Sequence, residues 1–395
     1  MNKKSTKISR PYCAMPWVHL HVGEFGKVKA CCVANIPLGN VNEETLADLW
    51  NAEPIRKLRK AFLGGKTDNR CAVCQQQELA GAKSMRQDTW EKYEDLIDFP
   101  VETNAMPTYF DIRFSNLCNF KCRTCWHGAS SKWHAEAVLL KRTKSNQALI
   151  ENIDDFDLFL QQYGAALKQA KEIYFAGGEP LITEQHYQLL NWLIDENATN
   201  CLLRYNTNFS VVQFKQYNLV DMWSKFNKVE VLASIDATGD LGEFIRKEQV
   251  WEQFVANRKA INLSENVTFK LAPTVSVLSL FHLPDLYQWA FENKIIVPEN
   301  FYINLLERPY YYNVKAFPKS QKSIISEKYS SFYRWCENNQ IPVAVIDDFK
   351  ACINFMLKDD LSKYWSGFVK ETETINQLRN ENLIDKWYVD LGLKA

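Results

Sequence analysis

Ser115-Asn116-Leu117-Cys118-Asn119-Phe120-Lys121-Cys122-Arg123-Thr124-Cys125-Trp126 sets three thiols three and two residues apart, directly after a strand-like run at 108–115. A metal centre held by these side chains alone lacks a fourth ligand. Three thiolates on one short loop can hold three irons of a cubane cluster and leave the fourth iron open to a small molecule. Two other readings stay open on the residues alone: a zinc site completed by His127 or His134, and thiols buried as small hydrophobes.

Downstream of the triplet, β-rich runs alternate with helical patterns. Strands are predicted at 109–115, 172–176, 202–207, 229–235, 268–275 and 301–306, with helices at 130–142, 155–170, 184–196, 211–224, 249–261 and 283–293. Six such units argue for a largely parallel α/β sheet whose ligands gather at the carboxyl ends of strands. The periodicity fits either a barrel or a doubly wound open sheet. Beyond Glu307 the run Arg308-Pro309-Tyr310-Tyr311-Tyr312 is expected to cross a rim, and the remaining chain is expected to be mainly helical.

The cysteine spacing resembles the signature of the radical S-adenosylmethionine (SAM) superfamily. The strand ends that follow are similar to further motifs of that family: Gly177-Gly178-Glu179 after the second strand, Thr207-Asn208 after the third, and Ser234-x-Asp236 after the fourth. The resemblance implies a partial (β/α)6 TIM-like barrel and a [4Fe-4S] cluster on Cys118, Cys122 and Cys125. It also implies SAM on the open iron, cleaved reductively to a 5′-deoxyadenosyl radical that removes a substrate hydrogen. By the same resemblance Gly177, Gly178 and Glu179 meet the methionine amino group, while Asn208, Ser234 and Asp236 lie near the ribose and the sulfonium. Arg246 resembles an arginine that neutralises the methionine carboxylate. The family's usual aromatic residue before the third cysteine is replaced by Thr124, so Phe120 or Trp126 is expected to stack on adenine. Ordinary turn and capping roles are the alternative for these polar residues, because Ser, Asp and Asn favour such positions anyway.

The amino-terminal third is rich in cysteine. Cys13, twelve residues, Gly26, four residues and Cys31 resembles the opening of the SPASM and twitch auxiliary-cluster modules, and Pro16-Trp17 and Leu38-Gly39-Asn40 resemble the surrounding sequence. Cys71-x-x-Cys74 makes four thiols, enough to close a second [4Fe-4S] cluster with no open iron. Cys32 is a competing ligand, although the Gly26 spacing favours Cys31. A zinc knuckle from the same four thiols is the alternative. A full SPASM module continues with cysteines where Ala80 and Ser84 stand here, so one auxiliary cluster is expected. The module normally follows the barrel and here precedes it. His19 and His21 are read as ordinary packing or surface residues, and Cys201, Cys336 and Cys352 as packing.

These readings divide the chain into an auxiliary domain at 1–106, a barrel at 107–310 and a mainly helical segment at 311–395. The segment 368–391 also resembles the tail of twitch-type enzymes. The 395 residues carry 47 basic and 47 acidic side chains, which argues against a field for nucleic acid or a membrane surface. No apolar run reaches the length of a membrane span and no secretory signal is visible, so a cytoplasmic setting is expected. Eleven cysteines in tight local groups fit metal centres better than disulfides. The resemblance further implies a reducing partner such as flavodoxin or ferredoxin, and a peptide or small sugar-like substrate undergoing oxidative modification. No peptide-leader-binding segment is expected at either end, which favours a compact substrate or one presented by a separate partner. An iron-sulfur electron carrier and a zinc-stabilised binding protein are the rival functions.

Overall fold

A computed structural model describes residues 13–79, 83–93, 100–261 and 265–381. Twelve strands are present among them: β1 His19–Val22, β2 Lys27–Lys29, β3 Pro37–Asn40, β4 Tyr109–Ile112, β5 Glu172–Phe175, β6 Leu202–Thr207, β7 Gln213–Phe214, β8 Tyr217–Asn218, β9 Lys228–Ala233, β10 Val267–Leu271, β11 Thr274–Val275 and β12 Asn304–Leu305. Eight of them form one sheet in the order β10-β9-β6-β5-β4-β1-β2-β3. The pairs β10/β9, β5/β4 and β4/β1 run parallel, whereas β2 and β3 continue the sheet antiparallel. From β4 to β10 the order never reverses. That singly wound order is the one a barrel sheet uses, and a doubly wound sheet would turn back at a switch point.

Two compact units interleave along the chain. The first comprises residues 1–116, 149–204 and 225–228, and the second residues 117–148, 205–224 and 229–395. In the first unit, β1, β4 and β5 are buried on both faces, as central parallel strands should be. Alternation sorts their side chains. Leu20, Val22, Phe110, Ile112, Ile173 and Phe175 fill one face, while His19, His21, Tyr109, Asp111, Glu172 and Tyr174 share the other. The buried Glu172 carboxylate is compensated by Arg204 at 2.7 Å.

The helix Glu53–Leu63 forms as its sequence predicts, with Pro54 in its first turn and Gly64 and Gly65 beyond its end. Its Arg59 is fully buried, donates to the Pro16 carbonyl at 2.9 Å and lies 4.7 Å from the Trp50 ring. Trp17 and Trp50 fasten the same layer to the later chain through their indole N–H groups, on the carbonyls of Pro100 and Ala105. The helix Glu53–Leu63 is followed by two further short helices, Ala72–Leu79 and Met85–Tyr93.

The second unit packs its helices through aromatic rings. Tyr287 meets Phe301, Phe332 and Phe349 edge-on at 5.2 to 5.8 Å, joining the helices Leu283–Glu292, Lys319–Asn338 and Val343–Lys358. The expected strand at 268–275 is split into β10 and β11, because Pro273 has no N–H for the ladder. Its carbonyl still accepts from Asn304, so the expected sixth strand shrinks to β12 and pairs with β11 apart from the main sheet. The helix predicted at 211–224 is confined to Leu219–Trp223, after the small β7/β8 hairpin. Cys201, Cys336 and Cys352 are buried, as expected of packing residues. No helix among the described residues is long and apolar enough to cross a membrane.

Candidate metal centres

Cys13, Cys31, Cys71 and Cys74 line one cavity of about 40 Å³ whose remaining wall includes Met15, Ile36, Leu58 and Phe62. Gly26 explains why the motif needs glycine. Its φ is +71°, and a Cβ there would stand 2.4 Å from Asn40 Oδ1 and 2.9 Å from the Asn152 carbonyl. The Gly26 carbonyl in turn accepts from Val41, so β2 and β3 return the chain at a fixed spacing behind Cys31. Cys32 does not line this cavity, and its Sγ lies 3.6 Å from Met85 Sδ. Of the two neighbours, it is Cys31 that lines the cavity with the other three thiols.

Burial first, and the nearby Cys31 second, push the Cys71 thiol up to about 12 and raise Cys13 well above its usual range. Cys31 differs, lowered to about 7 chiefly by a hydrogen bond from Cys32. Sulfurs that disfavour each other's charge in an apolar wall require cations between them to be thiolates together. Ser84, which occupies one downstream SPASM position, is buried and donates to Glu78; Ala80 lies outside the described residues.

Cys118, Cys122 and Cys125 follow β4 on an irregular loop. Cys125 N–H donates to the Cys122 carbonyl at 3.0 Å, and Phe120 N–H points to Cys118 Sγ at 3.4 Å. The loop is tied down along its length. Lys121 and Arg123 N–H groups donate to the carbonyls of Lys247 and Ile245, Trp133 Nε1 donates to Cys122 at 2.7 Å, and Ser130 Oγ donates to Phe120. The helix Trp365–Arg379 contributes from the far end of the chain. Arg379 donates to the Lys121 carbonyl at 2.8 Å and pairs with Glu136, while buried Arg123 bonds Asn376 and pairs with Glu381. Sequence reading saw only a tail resemblance in Arg379 and Glu381 and missed their role as anchors of the cysteine loop. The part of that tail from 382 to 391 lies outside the described residues.

Burial raises Cys122, and burial together with the neighbouring Cys122 pushes Cys125 up to about 12. Arg246 supplies positive charge. Its Nη1 lies 3.9 Å from Cys122 Sγ, and its Nη2 and Nε each stand 2.9 Å from the buried Asp236 carboxylate, which also accepts from Thr274 N–H. Asp236 and Arg246 therefore face each other as a buried pair. Asn208 donates to Asn119 Oδ1 at 2.8 Å and accepts from Ser210, and Ser234 N–H donates to the Thr207 carbonyl.

Thr124, Cys125, Trp126 and His127 open onto a cavity of about 470 Å³, completed by Arg142, Arg308, Tyr311, Tyr312 and Glu371. Trp126 is 51% exposed, whereas Phe120 is buried and lines a separate cavity of about 80 Å³ with Asn119, Asn208 and Gln249. His134 is turned to the Ser145 carbonyl at 2.9 Å. In the first unit Gly177 and Gly178 take φ of +81° and +29°, and a Cβ on Gly177 would come 2.8 Å from Arg113 Cβ. Glu179 is buried and accepts from Leu181 N–H at 3.0 Å, capping the turn Pro180–Ile182.

Residues 13–76 match the SPASM family, an iron-sulfur cluster-binding domain. All four thiols of the amino-terminal cavity fall inside that match. No curated protein matches the chain. Among solved structures, the chain is similar at 14% sequence identity and a TM-score of 0.37 to Streptococcus suis SuiB bound to S-adenosylmethionine, over 80% of this chain and 68% of that one.

Proposed function

We propose that this chain is a radical SAM oxidoreductase acting on a peptide or small sugar-like substrate, with the SPASM cluster serving oxidative modification. The observation that carries the reading is the Cys118–Cys122–Cys125 loop following β4 in a chain whose residues 13–76 match the SPASM family. With its cluster and SAM bound, the triplet would supply reductive cleavage to a 5′-deoxyadenosyl radical that abstracts a substrate hydrogen. The chain's own residues do the rest.

Cys118, Cys122 and Cys125 hold three irons. Arg246, fixed by Asp236, sets a positive charge beside Cys122 and so favours thiolate and cluster over neutral thiol. Gly177 and Gly178 keep side chains out of a turn that no Cβ could share, and Glu179 is placed there for the amino group of SAM. Asn208 and Ser234, each directly after a strand, are assigned to the ribose, and Phe120, Thr124 and Trp126 to the adenine. The cavity of Arg142, Arg308, Tyr311 and Tyr312 offers cations and phenols to a polar substrate. A reduced flavodoxin or ferredoxin supplies the electron. The domain limits at 1–106, 107–310 and 311–395 belong to the same proposal.

Anaerobic reconstitution followed by iron counting, dithionite reduction and SAM addition tests the reading. Formation of 5′-deoxyadenosine is expected. A chain that carries iron-sulfur clusters yet leaves SAM intact is an electron carrier, and the proposal fails.

A further inference from the structure

The polar face of β1 and β4 holds a second donor set, distinct from both groups of cluster thiols. One ring nitrogen of His19, Cys32 Sγ and an Asp111 carboxylate oxygen all lie within 4.8 Å of one another. His19 and Asp111 are fully buried, and they come from strands paired in parallel, with His21 opposite Asp111. Cys32 stands at the far side of the β2 turn, 79 residues from Asp111 in sequence (111 − 32).

Three features of this set point to a ligand. His19 Nδ1 lies 3.2 Å from the Ala30 carbonyl, the partner that fixes Nδ1 as the protonated nitrogen and leaves the lone pair on Nε2. Among the described residues that Nε2 atom has no hydrogen-bond partner although it is buried. Unpaired buried polar atoms are rare because each costs the full desolvation penalty. Asp111, for its part, is fixed by His21 Nδ1 at 2.9 Å and by Arg113 Nε at 3.4 Å. An imidazole whose other nitrogen donates to a backbone carbonyl, beside a carboxylate that is itself hydrogen-bonded, is the outer-shell pattern of metal ligands.

We propose that His19, Cys32 and Asp111 form a mononuclear site for a divalent ion of zinc's class, with its fourth position open. One nitrogen, one sulfur and one oxygen donor suit a borderline metal, and one thiolate plus one carboxylate balance its two charges. An open position in a zinc site takes water or a substrate heteroatom, so this centre would bind a hydroxyl, amine or thiol group of a small molecule. The proposal needs only these three side chains and stands apart from the radical SAM reading. Cys32, passed over as a cluster ligand, thereby gains a role of its own. The alternative is ordinary packing, in which Cys32 rests on Met85 and the His21–Asp111 pair is structural.

The test uses the full chain, reconstituted with iron and sulfide, given Zn²⁺ and desalted. About one zinc per chain is expected in addition to the cluster irons, and zinc-edge X-ray absorption should show one sulfur near 2.3 Å with nitrogen and oxygen neighbours near 2.0–2.1 Å. No retained zinc, or zinc in an all-sulfur shell, overturns the proposal on the wild-type protein alone. Cys32→Ala and Asp111→Asn should each lose the zinc and keep the irons, whereas Cys71→Ala/Cys74→Ala should lose irons and keep the zinc. Zinc retained by Cys32→Ala at full occupancy would also defeat the assignment.

Discussion

The two cysteine groups of this chain are built on opposite plans. Cys13, Cys31, Cys71 and Cys74 enclose a cavity of about 40 Å³ with apolar walls, and their frame is local: a glycine turn, a short hairpin and the helix Glu53–Leu63. Cys118, Cys122 and Cys125 sit on a loop without regular structure, held from outside by Trp133, Ile245, Lys247 and Arg379, and through Cys125 the loop meets a cavity of about 470 Å³. Under the proposed function, four ligands in a closed wall leave nothing for a substrate to occupy, whereas three ligands leave one coordination position. On that reading the contrast fits electron storage in the first and chemistry in the second.

The largest expected effect lies in the open group. Replacing Cys118, Cys122 and Cys125 with Ala should abolish 5′-deoxyadenosine formation and lower iron from about eight to about four per chain. Cleavage that survives in this variant would dissolve the contrast altogether.

Cys71→Ala/Cys74→Ala should remove the other half of the iron while uncoupled SAM cleavage continues. Comparing initial rates of 5′-deoxyadenosine release between this variant and the wild type decides it. A matching collapse of both would mean that the two regions fold as one dependency, since closed metal sites often hold small domains together.

A smaller effect is expected from the backbone frame. Gly26→Ala forces a side chain into a left-handed conformation against the Asn152 carbonyl and should cost about 1–3 kcal/mol in urea unfolding. Gly64→Ala is the control. Gly64 has an ordinary φ of −81°, with 3.4 Å between its added Cβ and the nearest atom, so its midpoint should barely move.

The subtlest change concerns charge beside Cys122. The paired variant Asp236→Asn/Arg246→Gln keeps the shapes and removes both charges, so no buried ion is left unpaired. With the guanidinium gone from 3.9 Å, the cluster of the open loop should become harder to reduce, read as a more negative midpoint by redox-poised EPR. An unchanged midpoint would mean that Arg246 serves only Asp236.

Much of this arrangement was legible in the chain itself. The triplet spacing, the alternation of strands with helices, and the four amino-terminal cysteines with Gly26 are local signals; the structure keeps the alternation except at the helix expected at 211–224 and at the sixth strand, which both shrink. Ligand spacing and helix stops are written in neighbouring residues, so short windows carry them. The break at Pro273 was also written locally, in a residue that cannot donate to a ladder, but the apolar run around it masked the signal.

Other features belong to the tertiary structure alone. Cys31 and Cys32 are adjacent, and although the Gly26 spacing favours Cys31, the folded chain is what puts Cys31 rather than Cys32 on the apolar cavity. Arg379 reaches Lys121 across 258 residues, a contact no local window contains. His19 and His21 looked like ordinary strand residues because their meaning comes from pairing with β4, which sets Asp111 opposite His21 and brings Cys32 within reach of His19. Sequence determines which donors a chain owns. Long-range strand register and burial determine which of them meet, because both depend on partners that sequence distance does not encode.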